Sequence, residues 1–310
     1  MKVINCKKYI SAFGLLLLMG SAAHATKLFV DCGGKAGLSS IGEALKILQS
    51  PLFTGPNTIN VSGACAENVV IQSMNRVTLN ALKGASITDV SGGTSDVILI
   101  DDSRDVAINN FTINGGDNGI DCTDGSVCRL SGNTIQGAAG AGAIALVMSQ
   151  MFVTSGTLTN NGAEGLAILN GSSGNATGVA IENNALGVVV RFQAFLVTNA
   201  TIVNNSGGGA YITTNATFHC NGCSVTGNGG DGVLMRRNSS AMFENGYVIT
   251  GNTGPGVAIN EVSSGQFVSP GTVTGNSGGT DVLCATSFTT ARGATTNVGG
   301  GITNCVEPPL

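Results

Sequence analysis

The stretch "GNGGDGVLMRRNSS", residues 227–240, contains the repeating unit that decides the fold of this 310-residue chain. A cluster of glycines leads into the apolar run GVLM, which ends at two adjacent arginines, Arg236 and Arg237. The glycines that open the same kind of run recur every 22–24 residues, at Gly119, Gly142, Gly165, Gly187, Gly209, Gly232, Gly256 and Gly279. A period this constant is typical of a solenoid, in which each repeat stacks on the next.

Each period contains three short strand-like runs. One copy reads GVLM, AMFE and YVIT, and another reads VVVR, FLVT and TIVN. Three strands in 22–24 residues predict one coil of a parallel β-helix, and the L-x-x-L-x-L frame of leucine-rich repeats is missing. The sequence therefore predicts an all-β solenoid of about ten coils, each with three short strands.

A second periodic column consists of asparagines that follow the third strand of each coil. Stacked Asn side chains hydrogen-bond to one another and tolerate the left-handed backbone of a tight turn. We therefore expect a ladder of amides at one corner of the coils. Its members are Asn161, Asn184, Asn205, Asn228, Asn252 and Asn276.

Residues 1–25 have the pattern of a secretory signal peptide. Three lysines precede an apolar segment of about ten residues, and a small-residue site, Ala23-His24-Ala25, follows it. The segment is too short to cross a membrane, which takes about 20 residues. We expect cleavage after Ala25 and a secreted or periplasmic protein that does not insert into the membrane.

Removal of this segment makes the chain more acidic. Lys2, Lys7 and Lys8 leave and no acidic residue does, so 11 basic and 18 acidic residues remain, a net charge of −7 (11 − 18). Such a chain lacks the basic stripe that nucleic-acid binding requires. Eight cysteines also remain, and an even number in an exported protein favours disulfides.

The G-[VIL]-x-[VIL] starts, the T-[VIL]-x-x-N ends and the period of 22–24 residues resemble the pectate-lyase-like superfamily of right-handed parallel β-helices. The resemblance covers residues 58–285 and is nearest to exported bacterial right-handed β-helix repeat proteins. The segments "SSIGEALKIL" and "NTINVSGACAENVVIQ" are similar to the capping helix and first coils of that group. The resemblance implies a cap with a short helix over 26–57, the right-handed β-helix over 58–285 and a carboxy-terminal tail over 286–310.

The cysteine positions agree with capped ends. Ser40 and Glu43 fit a capping box at the start of a helix, and Cys32 and Cys65 flank that helix. Cys284 and Cys305 would tie the tail to the last coil. Coils lie about 4.8 Å apart, so Cys122 and Cys220, four coils apart, cannot pair. The local bridges Cys122–Cys128 and Cys220–Cys223 are the simplest solution; a redox or zinc role of C-x-x-C is the alternative.

The resemblance also implies where a ligand would bind, because the active groove of these enzymes runs along the outer face of the first strand of each coil. Counting from each glycine, positions two and four face outward. They place Arg191 and Arg236 two coils apart with Tyr211 between them, and Arg237 follows. Two guanidinium groups beside an aromatic ring suit an acidic polysaccharide or cell-surface glycan. The alternative is that these arginines only keep an exposed face soluble.

Three carboxylates form a second candidate site. Asp101 and Asp124 are separated by one coil period, which predicts that they stack on adjacent coils with Asp121 nearby. Carboxylate oxygens at about 2.3–2.6 Å are ligands of Ca²⁺, so this group predicts a calcium site. The alternative is a polar turn, DDSRD, whose Arg104 balances the charge, with no cofactor at all.

The sequence departs from the enzymes that it resembles. The N-T-D, G-H-G and R-I-K motifs of polygalacturonase-type hydrolases are absent, and no paired-aspartate motif of pectin methylesterases or alginate epimerases is found. Lyases of this fold use an arginine near calcium, but Asp124 and Arg191 lie three coils apart, about 14 Å. The leading hypothesis is therefore a non-catalytic exported β-helix that binds a polysaccharide or another surface ligand. The alternatives are a polysaccharide lyase or related enzyme with an unfamiliar site, and a structural or adhesive surface solenoid.

Overall fold

A computed structural model describes residues 25–34, 37–277, 279–285 and 289–307. The predicted signal peptide lies outside these residues except for Ala25. The chain winds into a solenoid in which three parallel sheets run along its length. Twelve strands form one sheet and ten form each of the other two, which confirms the predicted parallel β-helix of about ten coils.

We number the sheets in the order in which each coil visits them. Sheet I comprises Val69–Gln72, Ile98–Asp101, Ile120–Thr123, Ala143–Ala145, Glu164–Leu169, Leu186–Arg191, Ala210–Thr213, Val233–Arg236, Val257–Ile259 and Val282–Cys284. Sheet II comprises Thr26–Asp31, Asn57–Ser62, Val77–Ala81, Val106–Asn109, Val127–Ser131, Gln150–Thr154, Ser173–Thr177, Phe195–Thr198, Thr217–Asn221, Ser240–Glu244, Ser264–Phe267 and Thr290–Arg292. Sheet III comprises Ala64–Ala66, Ser86–Thr88, Thr112–Asn114, Thr134–Gln136, Thr157–Thr159, Ala180–Glu182, Thr201–Val203, Ser224–Thr226, Val248–Thr250 and Thr272–Thr274.

The interior is filled by like residues stacked from coil to coil. In sheet I, Val188 pairs with Ala210, Ala210 with Val233, and Val233 with Val257, and all four side chains are buried. Because side chains alternate along a strand, the first and third residues after each coil glycine point inward and the second and fourth point outward. The structure therefore has the inward and outward positions that were predicted by counting from the coil glycines.

The asparagine column forms the predicted ladder, and it is buried. Along the ladder, the Oδ1 of one asparagine accepts hydrogen bonds from the backbone N–H and the Nδ2 of the ladder asparagine one coil earlier. Asn228 accepts both of these hydrogen bonds from Asn205, each at 3.0 Å. Its Nδ2 donates to a carbonyl of the coil before and to the next amide. The ladder ends at Asp281, whose Oδ1 accepts from the backbone and the amide of Asn276.

A second ladder, of buried serines, was not predicted. Each backbone N–H donates to the hydroxyl one coil further on, as Ser126 does to Ser149 and Ser149 to Ser172, both at 3.1 Å. The ladder holds the turn between sheets I and II. It breaks where Ala194 and Ala216 take the serine position and resumes at Ser239.

The amino-terminal end is covered by a helix, Ile41–Leu48, whose apolar side chains face the first coil. Ser40 caps the helix by accepting from the backbone N–H of Glu43, as predicted. The Glu43 carboxylate in turn accepts hydrogen bonds from the backbone N–H and the hydroxyl of Ser39, both at 3.0 Å. Glu67, which follows Ala64–Ala66, accepts from the backbone N–H groups of Ile41 and Gly42 at 2.8 and 3.0 Å.

Four disulfides close the chain at the positions that the sequence favoured. They are Cys32–Cys65, Cys122–Cys128, Cys220–Cys223 and Cys284–Cys305. The structural interpretation of C-x-x-C is therefore confirmed. The first strand of sheet II lies within the predicted cap and the last one within the predicted tail, so this sheet reaches both ends of the solenoid. No helix of the described residues has the length and apolar character needed to cross a membrane.

Candidate functional site

The outer face of sheet I has two rows of side chains that run along the solenoid. The inner register fixes both rows, because a shift by one residue would exchange the buried and exposed faces. One row contains Leu99, Asp121, Ile144, Ala167, Val189, Tyr211, Leu234 and Ala258. The other contains Asp101, Thr123, Leu169, Arg191, Thr213 and Arg236.

The middle of this face is apolar. Ala167, Leu169 and Val189 point away from the solenoid interior, yet they are buried and form a separate apolar cluster with Ala141. Flanking side chains, including that of Tyr211, pack against the cluster and cover it. The middle of the face is therefore a packed apolar surface, with Glu164 at the start of one of its strands.

Apolar side chains also project from the turns that border this face. Val147, Met148 and Phe192 lie between sheets I and II with positive φ angles of 49°, 59° and 60°, and all three are exposed. A β-branched or bulky residue in the left-handed region is uncommon and strained. Together the three side chains form an exposed apolar rim beside the middle of the face.

One end of the face, which we call the basic end, contains Arg191, Tyr211, Arg236 and Arg237, and Arg191 is its first residue. Its guanidinium lies 5.4 Å from the centre of the Phe192 ring, within range of a cation–π contact. The buried Nε–H of Arg191 has no hydrogen-bond partner among the described residues. Leaving a buried donor without a hydrogen-bond acceptor costs about 1–3 kcal/mol. An acceptor supplied by a ligand would remove this cost.

Arg236 lies two coils further along the same row, with Thr213 between. The Nε of Arg236 donates to Glu261 at 2.9 Å, and its Nη2 contacts the same carboxylate. The Nε of Arg237 lies 3.7 Å from Oε2 of Glu261. The hydrogen bond to Glu261 and the attraction of its charge raise the pKa of Arg236, and Tyr211 contributes further. Sequence reasoning missed Glu261, although its distance from Arg236 along the chain is close to one coil period.

A pocket of about 400 Å³ lies beside Tyr211. Leu186 and Leu234 supply apolar walls, glycines supply a further part of its lining, and Asp231 supplies a carboxyl group. Burial raises the pKa of Asp231. An aromatic ring, apolar walls and a few polar groups are the usual elements of a small-molecule or sugar subsite.

The opposite end of the face, which we call the acidic end, contains Asp101, Asp121 and Asp124. Asp121 lies in the same row as Tyr211, four coils away, and its side chain is nearly fully buried with 8% residue exposure. Its Oδ1 atom has no hydrogen-bond partner among the described residues. Burial, followed by the charges of Asp96, Asp124 and other nearby carboxylates, raises the pKa of Asp121 to about 7.

The predicted stacking of Asp101 on Asp124 is wrong by one residue. Asp101 pairs with Thr123, because the offset between these two coils is one residue shorter than predicted, and Asp124 lies beyond the strand in a left-handed turn position. Desolvation, followed by the hydrogen bond and the charge of Asp101, raises the pKa of the exposed Asp124. Arg104 forms no ion pair within 4.0 Å among the described residues.

The carboxylates of Asp101, Asp121 and Asp124 do not converge on one point as calcium ligands would. Among the residues that the structure describes, one group of three metal-binding side chains has donor atoms within 4.8 Å of one another: Cys32, Cys65 and Glu67. Its two cysteines form a disulfide. Since the oxygens of the three aspartates do not form such a group, we assign no metal to the acidic end.

Two other charged pairs lie on sheet II, away from this face. Arg129 donates to Asp105 at 2.7 Å and lies over the Phe152 ring, and His219 contacts Glu244 at 2.8 Å. Each of these side chains has its partner within the chain. They therefore serve as controls for the outer face of sheet I.

Two solved structures share the architecture. The A-module of the mannuronan C-5 epimerase AlgE4 from Azotobacter vinelandii matches with a TM-score of 0.58 and 11% identity, over 87% of this chain and 92% of that one. The pectate lyase Pel9A matches with a TM-score of 0.55 and 10% identity, over 90% and 82%. No curated protein matches the chain in sequence. At these identities the likeness shows the fold alone.

The family assignment rests on the repeats themselves. The model of the family described as "Right handed beta helix region" matches residues 96–253, which is half of the chain. The matched residues include Asp121, the apolar middle of the face and all three arginines of the basic end. With its stacked coils and three parallel sheets, the chain belongs to the right-handed β-helix family.

Proposed function

We propose that the protein is an exported β-helix that binds an acidic polysaccharide or cell-surface glycan along the outer face of sheet I. The basic end, formed by Arg191, Tyr211, Arg236 and Arg237, is the contact region. The observation that carries the proposal is the buried Nε–H of Arg191, which has no acceptor among the described residues. A ligand carboxylate would supply one, and charge-assisted hydrogen bonds of this kind are the strong ones.

The charge count at the basic end favours an anionic ligand. Glu261 contacts both Arg236 and Arg237, and Arg191 has no ion pair among the described residues. With Asp231 beside Tyr211, three guanidinium groups stand against two carboxyl groups. The end therefore keeps an excess of positive charge in a chain whose predicted mature net charge is −7. A local positive strip can attract an anionic polymer that the overall field repels.

The remaining features suit a sugar chain. The coils repeat at about 4.8 Å, so the face offers contacts at regular intervals to an extended polymer. Tyr211 and the pocket beside it offer an apolar ring and a carboxyl group to one sugar unit. The similar structures are, by name, an epimerase of mannuronan and a lyase of pectate, which supports an acidic polysaccharide as ligand. The four disulfides agree with an oxidising, extracellular environment.

Changing Arg191 and Arg236 together to Gln tests the proposal. Each arginine is expected to contribute one charge-assisted contact, so the double variant should bind an acidic oligosaccharide about a hundredfold more weakly. Binding by the parent should weaken as salt rises, because exposed charges are screened within about 10 Å at 0.1 M. Affinity is measured on immobilised alginate and polygalacturonate at low salt.

Arg129→Gln is the matched control, since it removes a guanidinium from sheet II and should leave binding unchanged. The melting temperature of the double variant should stay near that of the parent, because both side chains lie outside the core. Equal binding by the double variant and the parent would refute the proposal, as would a parent that binds neither polymer.

A further inference from the structure

The outer face of sheet I carries opposite charges at its two ends. Asp121 and Arg191 are separated by three coils, about 14 Å, and the apolar cluster lies between them. No lysine or arginine forms an ion pair with the acidic end among the described residues. The carboxylates that act on Asp121 are those of Asp96, Asp101, Asp117 and Asp124.

The acidic end contains an acceptor that the protein does not use. Asp121 is more than nine-tenths buried as a residue, its side chain faces outward from sheet I, and its Oδ1 has no donor among the described residues. Two neighbouring carboxylates do accept hydrogen bonds within the chain. Asp101 accepts one from the Gln72 amide at 2.7 Å, and Asp96 accepts one from the Asn118 amide at 2.9 Å. A carboxylate oxygen without a donor is complementary to a sugar hydroxyl or amide N–H.

We propose that the acidic end is a specificity subsite that accepts an uncharged, hydroxyl-rich sugar unit and rejects a uronate unit. The ligand class is therefore a mixed polysaccharide, in which anionic units that reach the basic end are interspersed with neutral ones. A homopolymer of uronate binds through the basic end alone and therefore more weakly. This inference rests on the proposed function for its basic end and adds the role of Asp121.

The selection follows from like-charge repulsion. A uronate placed beside Asp121 would bring another negative charge against five carboxylates, with no cation to offset them, and such contacts suppress binding of the wrong partner. A neutral unit at the same place instead donates its hydroxyl hydrogens to those oxygens. The separation of about 14 Å exceeds the Debye length of about 8 Å at 0.15 M salt, so each end selects its own unit of the polymer.

The test compares oligosaccharides of equal length at pH 8 and about 0.15 M salt, where the Debye length stays below the separation of the two ends. Hyaluronan alternates a uronate with an N-acetylated amino sugar, whereas polygalacturonate carries a carboxylate on every unit. The parent is expected to bind hyaluronan about tenfold more tightly, although polygalacturonate has the higher charge density. Asp121→Asn should narrow this ratio to about threefold or less, by strengthening polygalacturonate binding and weakening that of hyaluronan.

Glu182→Gln, on sheet III, is the matched control, because it removes the same charge from another face. The inference is overturned if the parent binds polygalacturonate as tightly as hyaluronan. It is also overturned if Asp121→Asn shifts both affinities by the same factor as Glu182→Gln. In either case the binding lost in the Arg191 and Arg236 double variant would still support the proposed function. If the parent binds neither polymer, both proposals fail.

Discussion

Replacing Asn228 with Ala is expected to lower the free energy of unfolding by about 3–6 kcal/mol. The side chain lies in the middle of the amide ladder, where its Oδ1 accepts from the N–H and Nδ2 of Asn205 and its Nδ2 donates to the carbonyl of Ile202. The substitution leaves the backbone N–H of Asn205 without an acceptor, at about 1–3 kcal/mol, and removes one hydrogen bond each from the Asn205 Nδ2 and the Ile202 carbonyl, at about 1–1.5 kcal/mol each. Domains are typically stable by about 5–15 kcal/mol, so the loss is a large fraction of the total.

Denaturant unfolding of the disulfide-bonded protein measures this effect. Asn221→Ala is the control, because that amide is exposed on sheet II and its Oδ1 accepts from the Asn245 side chain. We expect the control to lose about 1 kcal/mol or less. If both variants unfold at the same denaturant concentration, the buried ladder does not hold the corner of the coils together.

Replacing Asp121 with Asn is expected to stabilise the protein, and increasingly so as the pH rises. The folded pKa of about 7 lies above the ordinary value of 3.8, so between these values the native state binds more protons than the unfolded state. The Asp121 carboxyl therefore contributes stability that is fully present below about pH 4 and lost as the pH rises through 7. The Asn side chain does not ionise and avoids that loss.

The difference between the two proteins is expected to grow from near zero at pH 4 to about 2–4 kcal/mol at pH 8. Comparing the melting temperatures of parent and variant at several pH values isolates Asp121 from the other titrating groups. A difference that does not change with pH would show that this carboxyl is not perturbed by burial and by its acidic neighbours.

Most of the fold is predictable because a solenoid repeats local constraints. The glycines from Gly119 to Gly279 report the coil period, and the period alone decides which residues stack. Once Val188, Val233 and Val257 are aligned, the alternation of a strand decides which side chains face outward. Cysteine pairing follows because only residues in the same or adjacent coils approach closely enough.

The candidate site is less predictable, because it depends on offsets of one residue between coils. Shortening one coil by a single residue places Asp101 beside Thr123 instead of Asp124, and the three carboxylates that predicted a calcium site do not converge. Glu261 and Glu67 act across turns to which no sequence motif draws attention. The serine ladder left a signal, since its members recur once per coil, but serine is too common in turns to stand out.

The central claim is that an anionic glycan contacts the basic end of the outer face of sheet I. Its most direct test follows the Nε–H resonances of the arginines by two-dimensional NMR while an acidic oligosaccharide is added. We expect the signals of Arg191 and Arg236 to shift and saturate together, since the Nε–H of Arg191 has no acceptor among the described residues before the ligand arrives. The signal of Arg129, which already donates to Asp105, should stay in place. Shifts at Arg129 with none at Arg191 would contradict the account.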